Sequence, residues 1–144
     1  MPKINRSALM PYPADFMYAI VNNVDNYPEF LPWCSDVKVH RVDDRSMEAS
    51  ILMRGVGMNH WLKTRNSMEP GKSIEMELVE GPLRELHGFW CFTPIDPEGC
   101  KIELTLEFKM KHGLASTLVG PAFSRIANTM VESFCDRARA QHDR

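Results

Sequence analysis

The sequence predicts an α+β fold in which a curved antiparallel sheet of about seven strands wraps around one long C-terminal helix, with two short helices after the first strand. Three observations predict it. From Ser35 to Met110 the apolar residues recur with a period of two. Turn residues break that stretch at short, hairpin-like intervals. From Leu114 to Ala138 the period changes, and Leu114, Leu118, Ala122, Ile126, Met130, Phe134 and Ala138 step by four, widened by Val119, Phe123, Ala127 and Val131.

The elements follow in chain order. Ile4 to Met10 reads as a first strand, stopped by Pro11-Tyr12-Pro13. Pro13 suits the first position of a helix whose buried stripe is Ala14, Met17, Tyr18 and Val21, with Asp15 favourable in the first turn. The helix fades near Asn22-Asn23, and a second, tight helical or turn element follows. Met47 to Met53, Ile74 to Leu78 and Ile102 to Met110 each alternate apolar and polar residues, as one-faced strands do. Turn signals stand at Asp43-Asp44, Gly55-Val56-Gly57, Glu69-Pro70-Gly71, Gly81-Pro82 and Pro94 to Gly99. About six strands joined mostly by hairpins make an antiparallel meander, and its twist and single apolar face oblige it to curl around something. The last helix is that something. It spans about 37 Å if unbroken, and Gly120-Pro121 is expected to kink it or to start a second segment. A long helix across a curved antiparallel sheet is the helix-grip arrangement, which commonly leaves an elongated cavity between the two.

Length and composition fit one domain over residues 1–144. A chain of this size buries about two thirds of its unfolded surface and needs no staple or metal to fold. Apolar content of 44% and charged content of 25% exclude disorder, and no apolar stretch reaches the ~20 residues that span a bilayer. The N-terminus has no apolar signal region and no transit segment, so the cytoplasm is the expected compartment, with peripheral contact at the inner face of the membrane. Cys34, Cys91, Cys100 and Cys135 form no C-x-x-C pair and have no His at metal spacing; they read as reduced core thiols, and no metal or covalent cofactor is expected. The net charge of −2 gives no global pull toward nucleic acid, and no DNA partner is expected. The late cations Arg125, Arg137, Arg139 and Arg144 are the candidate basic patch, with a solvated helix face as the alternative.

The stretch "DNYPEFLPWC", Asp25 to Cys34, threads Tyr27, Phe30, Leu31 and Trp33 through Pro28 and Pro32. Neither a continuous helix nor a central strand runs through two such prolines. The aromatics therefore sit on a corner, either capping the core or gating a cavity. Leu86, Gly88, Trp90 and Phe92 share one face of a strand, and His87, Phe89 and Cys91 the other. Gly88 in a strand interior signals close approach of another group or a sharp bend. Ten methionines suit an adaptable apolar interior, with Met53, Met76 and Met130 pointing inward by periodicity.

"YPEFLPWC" (Tyr27 to Cys34), "TRN" (Thr64 to Asn66), "EGPLRELHGFWCFTP" (Glu80 to Pro94) and the closing amphipathic helix together resemble the coenzyme Q-binding and ribosome-association-toxin family of START-like proteins. The resemblance runs from Ile4 to about Arg139. Leu83 stands where an aromatic is usual in the family, and Trp33-Cys34 matches one subset of it. The resemblance implies a helix-grip fold with a hydrophobic tunnel, in relatives that bind ubiquinone or related lipids and support respiration. In one bacterial branch it implies a block on the joining of ribosomal subunits. The residues expected to line the tunnel are Tyr27, Phe30, Leu31 and Trp33 from the loop, Met53, Trp61, Met76, Trp90 and Leu106 from the strands, and Ile126, Met130 and Phe134 from the helix. With the tunnel in view, the loop is read as its gate.

Three function classes follow. The leading one is a non-catalytic protein that binds ubiquinone or a related lipid; a quinone head group has two carbonyl oxygens that need donors, for which His60, Arg65, Asn66 and Arg84 are the polar candidates. The alternative is a ribosome-association toxin that binds the large ribosomal subunit and blocks subunit joining, with Arg125, Arg137 and Arg139 facing the ribosome. The third is a cyclase or dehydratase-like enzyme. His60, Arg65, Arg84 and His87 form no nucleophile, base and orienter set in the sequence, so catalysis is not expected.

Overall fold

The computed structural model describes residues 3–55, 58–95, 97–111 and 116–142. Seven strands, β1 (Lys3–Met10), β2 (Cys34–Val42), β3 (Ser46–Gly55), β4 (Met58–Glu69), β5 (Ser73–Glu80), β6 (Leu83–Ile95) and β7 (Gly99–Met110), form one antiparallel sheet in the order β1-β7-β6-β5-β4-β3-β2. Helix α1 (Ala14–Asn22), a 3-10 turn (Val24–Asn26) and the four-residue α2 (Tyr27–Phe30) bridge the two edge strands, and α3 (Ser116–His142) closes the chain. This is the predicted helix-grip architecture. The expectations that fall on Val56-Gly57, Leu114 and Arg144, and on the side chains of Leu118 and Val119, lie outside the described residues.

Turn chemistry sets the hairpins. Between β4 and β5 the Lys72 N–H donates to the Glu69 carbonyl at 2.8 Å, and Gly71 sits at φ +76°. Pro at the second position and a left-handed Gly at the third are what a type II turn requires. Between β2 and β3, Asp43 Oδ1 accepts the Arg45 and Ser46 N–H groups at 2.8 Å each, and these bonds hold its carboxyl below the usual range. Register shifts at Cys34/Asp36 and Val39/Arg41 in β2, Lys63/Thr64 in β4 and Leu83/Glu85 in β6 add local twist and let the sheet curl. Pro94 belongs to β6 instead of opening a turn. The β5 partner ends opposite Cys91, so nothing on that side needs the missing N–H.

The inner face of the sheet is the core. Leu86, Trp90 and Phe92 of β6 and Ile102, Leu104, Leu106 and Phe108 of β7 are buried on it, while their alternates face outward. A Cβ on Gly88 would lie 2.5 Å from Met76 Cε and 2.9 Å from Leu106 Cδ1, so the absent side chain is the space its neighbours occupy. From α3, Ala127, Phe134 and Ala138 are fully buried; the two alanines let the helix lie close to the sheet. Phe134 fills the centre, with ring centroids 5.3 Å from Tyr27, 5.5 Å from Phe30 and 5.4 Å from Trp90, all edge-on.

Three local expectations are corrected. Pro121 does not start a second segment: α3 is one helix from Ser116 to His142, with Pro121 in its second turn on the exposed side, where one lost ladder bond is tolerated. Pro13 precedes α1 as its cap, its carbonyl accepting the Phe16 and Met17 N–H groups at 3.1 and 3.2 Å, so Ala14 is the first helical residue. The α1 stripe buries Ile20 in place of Tyr18, which lies half-buried with its ring 5.6 Å from Phe92.

Candidate functional site

The loop from Tyr27 to Cys34 is a packed corner. Pro28 occupies the first turn of α2, where its missing N–H costs nothing, and the Leu31 N–H closes the helix onto the Tyr27 carbonyl at 2.9 Å. Tyr27 is buried and its hydroxyl donates to the Val21 carbonyl, tying α2 back to α1; burial pushes its ionisation well above the usual phenol range. The Arg54 N–H donates to the Trp33 carbonyl at 2.7 Å, fixing the corner to the end of β3. Across the top, Arg137 of α3 holds Glu29 at 3.1 Å and lies 4.9 Å over the Phe30 ring. Leu31, Trp33 and Cys34 are buried, so in this structure the loop packs as a cap on the core. Burial raises the Cys34 thiol to about 11, and it also raises Cys100 and Cys135, so these three stay protonated and inert at neutral pH.

The predicted tunnel residues divide into three groups. Tyr27, Leu31, Met53, Trp90, Leu106 and Phe134 are buried in the packed core, and Phe30, Met76 and Met130 are half-buried against it. Trp33 and Ile126 line an open apolar cleft of about 340 Å³ between α3, the corner and the end of β3, whose other walls include Pro32, Arg54, Ala122 and Arg125. Trp33 Nε1 itself is buried away from the cleft's open space, without a hydrogen-bond partner among the described residues. Trp61 is corrected outright. It stands on the outer face of β4, 37% exposed, with Lys38 Nζ 4.6 Å from its ring centroid. Its even-numbered neighbours Leu62 and Asn66 take the inner face, and the period of two forces Trp61 out.

The polar candidates do not converge. His60 is half-buried on the inner face opposite Met53. Asn66 is buried and accepts a 3.1 Å bond from Thr64. Arg65 lies on the outer face 3.8 Å from Glu48, and Arg84 is exposed at the β6 bulge. Of the late cations, Arg125 is exposed beside the cleft and Arg139 pairs with Asp136 at 2.9 Å. Arg137 is only 11% exposed and clamps the corner, so it is withdrawn from the basic patch. Sequence reasoning had no signal for the Glu29 partner, which is 108 residues away.

Two outer features had no sequence signal either. A broad groove of about 900 Å³ runs between the Ser67 to Ser73 turn and the β6–β7 hairpin, with Phe89 and Cys91 on its floor. Beside it Glu75, Glu77 and His87 bring their ligand atoms within 4.8 Å of one another, His87 Nε2 lying 3.5 Å from Glu75 Oε1 as an exposed cross-strand pair. No helix among the described residues is long and apolar enough to cross a membrane.

Comparison with known proteins places this geometry. Residues 10–135 match the family described as polyketide cyclase / dehydrase and lipid transport. The ribosome association toxin RatA of Pseudomonas aeruginosa is 45% identical over 136 residues, 94% of each chain. The mitochondrial coenzyme Q-binding protein coq10 of Schizosaccharomyces pombe is 24% identical, covering 94% of this chain and 86% of its own. Among solved structures, the Zhui aromatase/cyclase of Streptomyces sp. R1128 superposes with a TM-score of 0.85 over 96% of this chain and 93% of that one, at 15% identity, which is a likeness of fold. With the matched segment running from the end of β1 into the last turns of α3, the chain belongs to the polyketide cyclase / dehydrase and lipid transport family, in the START-like group that holds the ribosome association toxins and the coenzyme Q-binding proteins.

Proposed function

We propose that this chain is a non-catalytic, ribosome-associating protein that binds the large ribosomal subunit and blocks subunit joining. The observation that carries the reading is 45% identity, along almost the whole of both chains, to a protein named ribosome association toxin. Likeness to a protein named coenzyme Q-binding is 24%. That order reverses the one expected from the sequence, where quinone binding led. The packing supports the reversal: the aromatic cluster around Phe134 occupies the place where a long tunnel was expected. The scatter of His60, Arg65, Asn66 and Arg84 over both faces of the sheet supports a non-catalytic role, since acid–base work needs groups within hydrogen-bond reach of one substrate.

Purified protein mixed with ribosomal subunits and run on sucrose gradients is expected to sediment with the large subunit at 50 mM salt, to reduce the yield of joined ribosomes, and to dissociate as salt rises. Failure to sediment with the large subunit even at the low salt removes the reading.

The cleft favours a second, compatible reading. Its volume of about 340 Å³ sits at the low end of the ~300–1,000 Å³ range of small-molecule sites. That holds a quinone ring with its tail running outward, against the apolar walls of Trp33 and Ile126. Organic extraction of the purified protein followed by mass spectrometry is expected to yield a quinone or lipid; a clean extract from protein purified without detergent discards this reading.

A further inference from the structure

The misplaced tryptophan is the entry point. Trp61 is the exposed member of the three tryptophans, Trp33 and Trp90 being 9% and 1% accessible. Keeping a large ring on an open sheet face forgoes its burial, so the ring's surroundings decide what it is for. The register puts Leu52 beside it on β3 and Lys38 and Arg41 on the neighbouring β2, while Lys63 and Arg65 follow it on β4 and Arg54 precedes Gly55 at the end of β3. These five cations face outward against three carboxylates, Asp36, Glu48 and Glu69, the last at the far end of β4, on a chain whose net charge is −2. Glu48 holds Lys63 at 3.0 Å, Arg41 at 3.3 Å and Arg65 at 3.8 Å, and the Lys63 hydrogen bond keeps its carboxyl below the usual range. It therefore stays ionised and spaces the three cations across the face. One strand further the sign reverses, because the outward positions of β5 are Glu75 and Glu77.

We propose that the outer face of β2, β3 and β4 is an RNA-binding surface, with a base stacked on Trp61 and the backbone phosphates held by the surrounding lysines and arginines. The choice of RNA rests on the ribosome reading above. Three adjacent strands are about 10 Å across, the width of a single nucleic-acid strand instead of a plane. An exposed aromatic ringed by cations on a sheet is the stacking platform that single-stranded RNA uses. The acidic β5 lies about one strand spacing away, within the Debye length of about 10 Å at 0.1 M salt, and repels an anionic surface laid across the whole sheet. Lys38, now over the Trp61 ring, yields that face to a base and turns its ammonium to the adjacent phosphate.

The test compares wild type with Trp61→Ala, Lys38→Glu/Lys63→Glu, the milder Lys38→Gln/Arg41→Gln, and Lys101→Glu/Lys109→Glu as the control on the outer face of β7. Each is checked for folding by thermal melting. Each is then measured for filter binding to protein-free large-subunit RNA at 50 and 200 mM salt, for sedimentation with intact large subunits, and for binding to phosphatidylglycerol vesicles. Trp61→Ala is expected to weaken RNA binding about fivefold or more. The charge variants are expected to weaken it further and to lower the salt slope by about one for each phosphate contact removed. RNA is expected to protect the exposed tryptophan of wild type from acrylamide quenching, and the control is expected to match wild type. RNA affinity unchanged in the folded Trp61 and charge variants, or a wild type that binds the vesicles and not the RNA, overturns the proposal. If wild type sediments with large subunits while these variants do so equally and RNA binding is unaltered, the RNA face is lost and the ribosome reading stands. If wild type ignores the subunits but binds free RNA through Trp61, the reverse holds.

Discussion

Replacing Phe134 by Ala is expected to lower the unfolding free energy by about 3–5 kcal/mol, the usual cost of truncating a buried Phe. The melting temperature should fall by roughly 10 °C or more at a few degrees per kcal/mol. The residue is fully buried and its ring meets Tyr27 and Phe30 of the corner and Trp90 of β6, so it joins the helix to both other parts of the fold at once. The cavity left behind cannot close by a shift of α3 alone, because Ala127 and Ala138 on the same helix are already fully buried. Met130→Ala, one helical turn away but half-buried, is the control and should cost clearly less. Denaturant titration measures both. A cost for Phe134→Ala no greater than for Met130→Ala would mean that the ring borders open space, and the tunnel reading would return.

The sheet, its seven strands and the long helix were legible because their signals are local and periodic. A strand such as β7, with Ile102, Leu104, Leu106 and Phe108 on one face, declares its burial in its own sequence. The interior's character was not legible, because Met53, Trp90, Leu106 and Phe134 are inward whether they line a tunnel or fill a core, and only the ring-to-ring distances separate the two cases. The face of Trp61 is hidden in the sequence for another reason. Its neighbours His60 and Leu62 are also bulky, so alternation was weak there, and the face it takes is fixed by pairing with Leu52 across the hairpin. From its place near the helix end Arg137 reads as a surface cation, while its role depends on Glu29 and Phe30 at the far side of the chain. The Trp33 cleft was half visible: the loop and the helix were both named, but the Arg54 to Trp33 backbone bond that brings β3 to them is a tertiary fact.

Replacing Phe30 and Trp33 together by Ser is expected to destabilise the protein at least as much as Leu106→Ala, for which about 2–5 kcal/mol is the usual cost. A gate would predict a mild effect, since a loop that opens over a tunnel contributes little to the folded state. The corner is built the other way. Phe30 is the ring under the Arg137 guanidinium and the edge partner of both Tyr27 and Phe134. Trp33 is 9% accessible and its removal opens the cleft into the core beside the buried Leu31 and Cys34. With Phe30 gone, Arg137 retains the exposed Glu29 as its partner on that side, and its guanidinium loses the ring it lies over. Melting temperature and denaturant midpoint on the double variant, on each single variant and on Leu106→Ala decide between the two. Because Phe30 and Trp33 flank Leu31 and the corner tethers both, their separate losses should not add, and a double variant that melts within a degree or two of wild type would restore the gate.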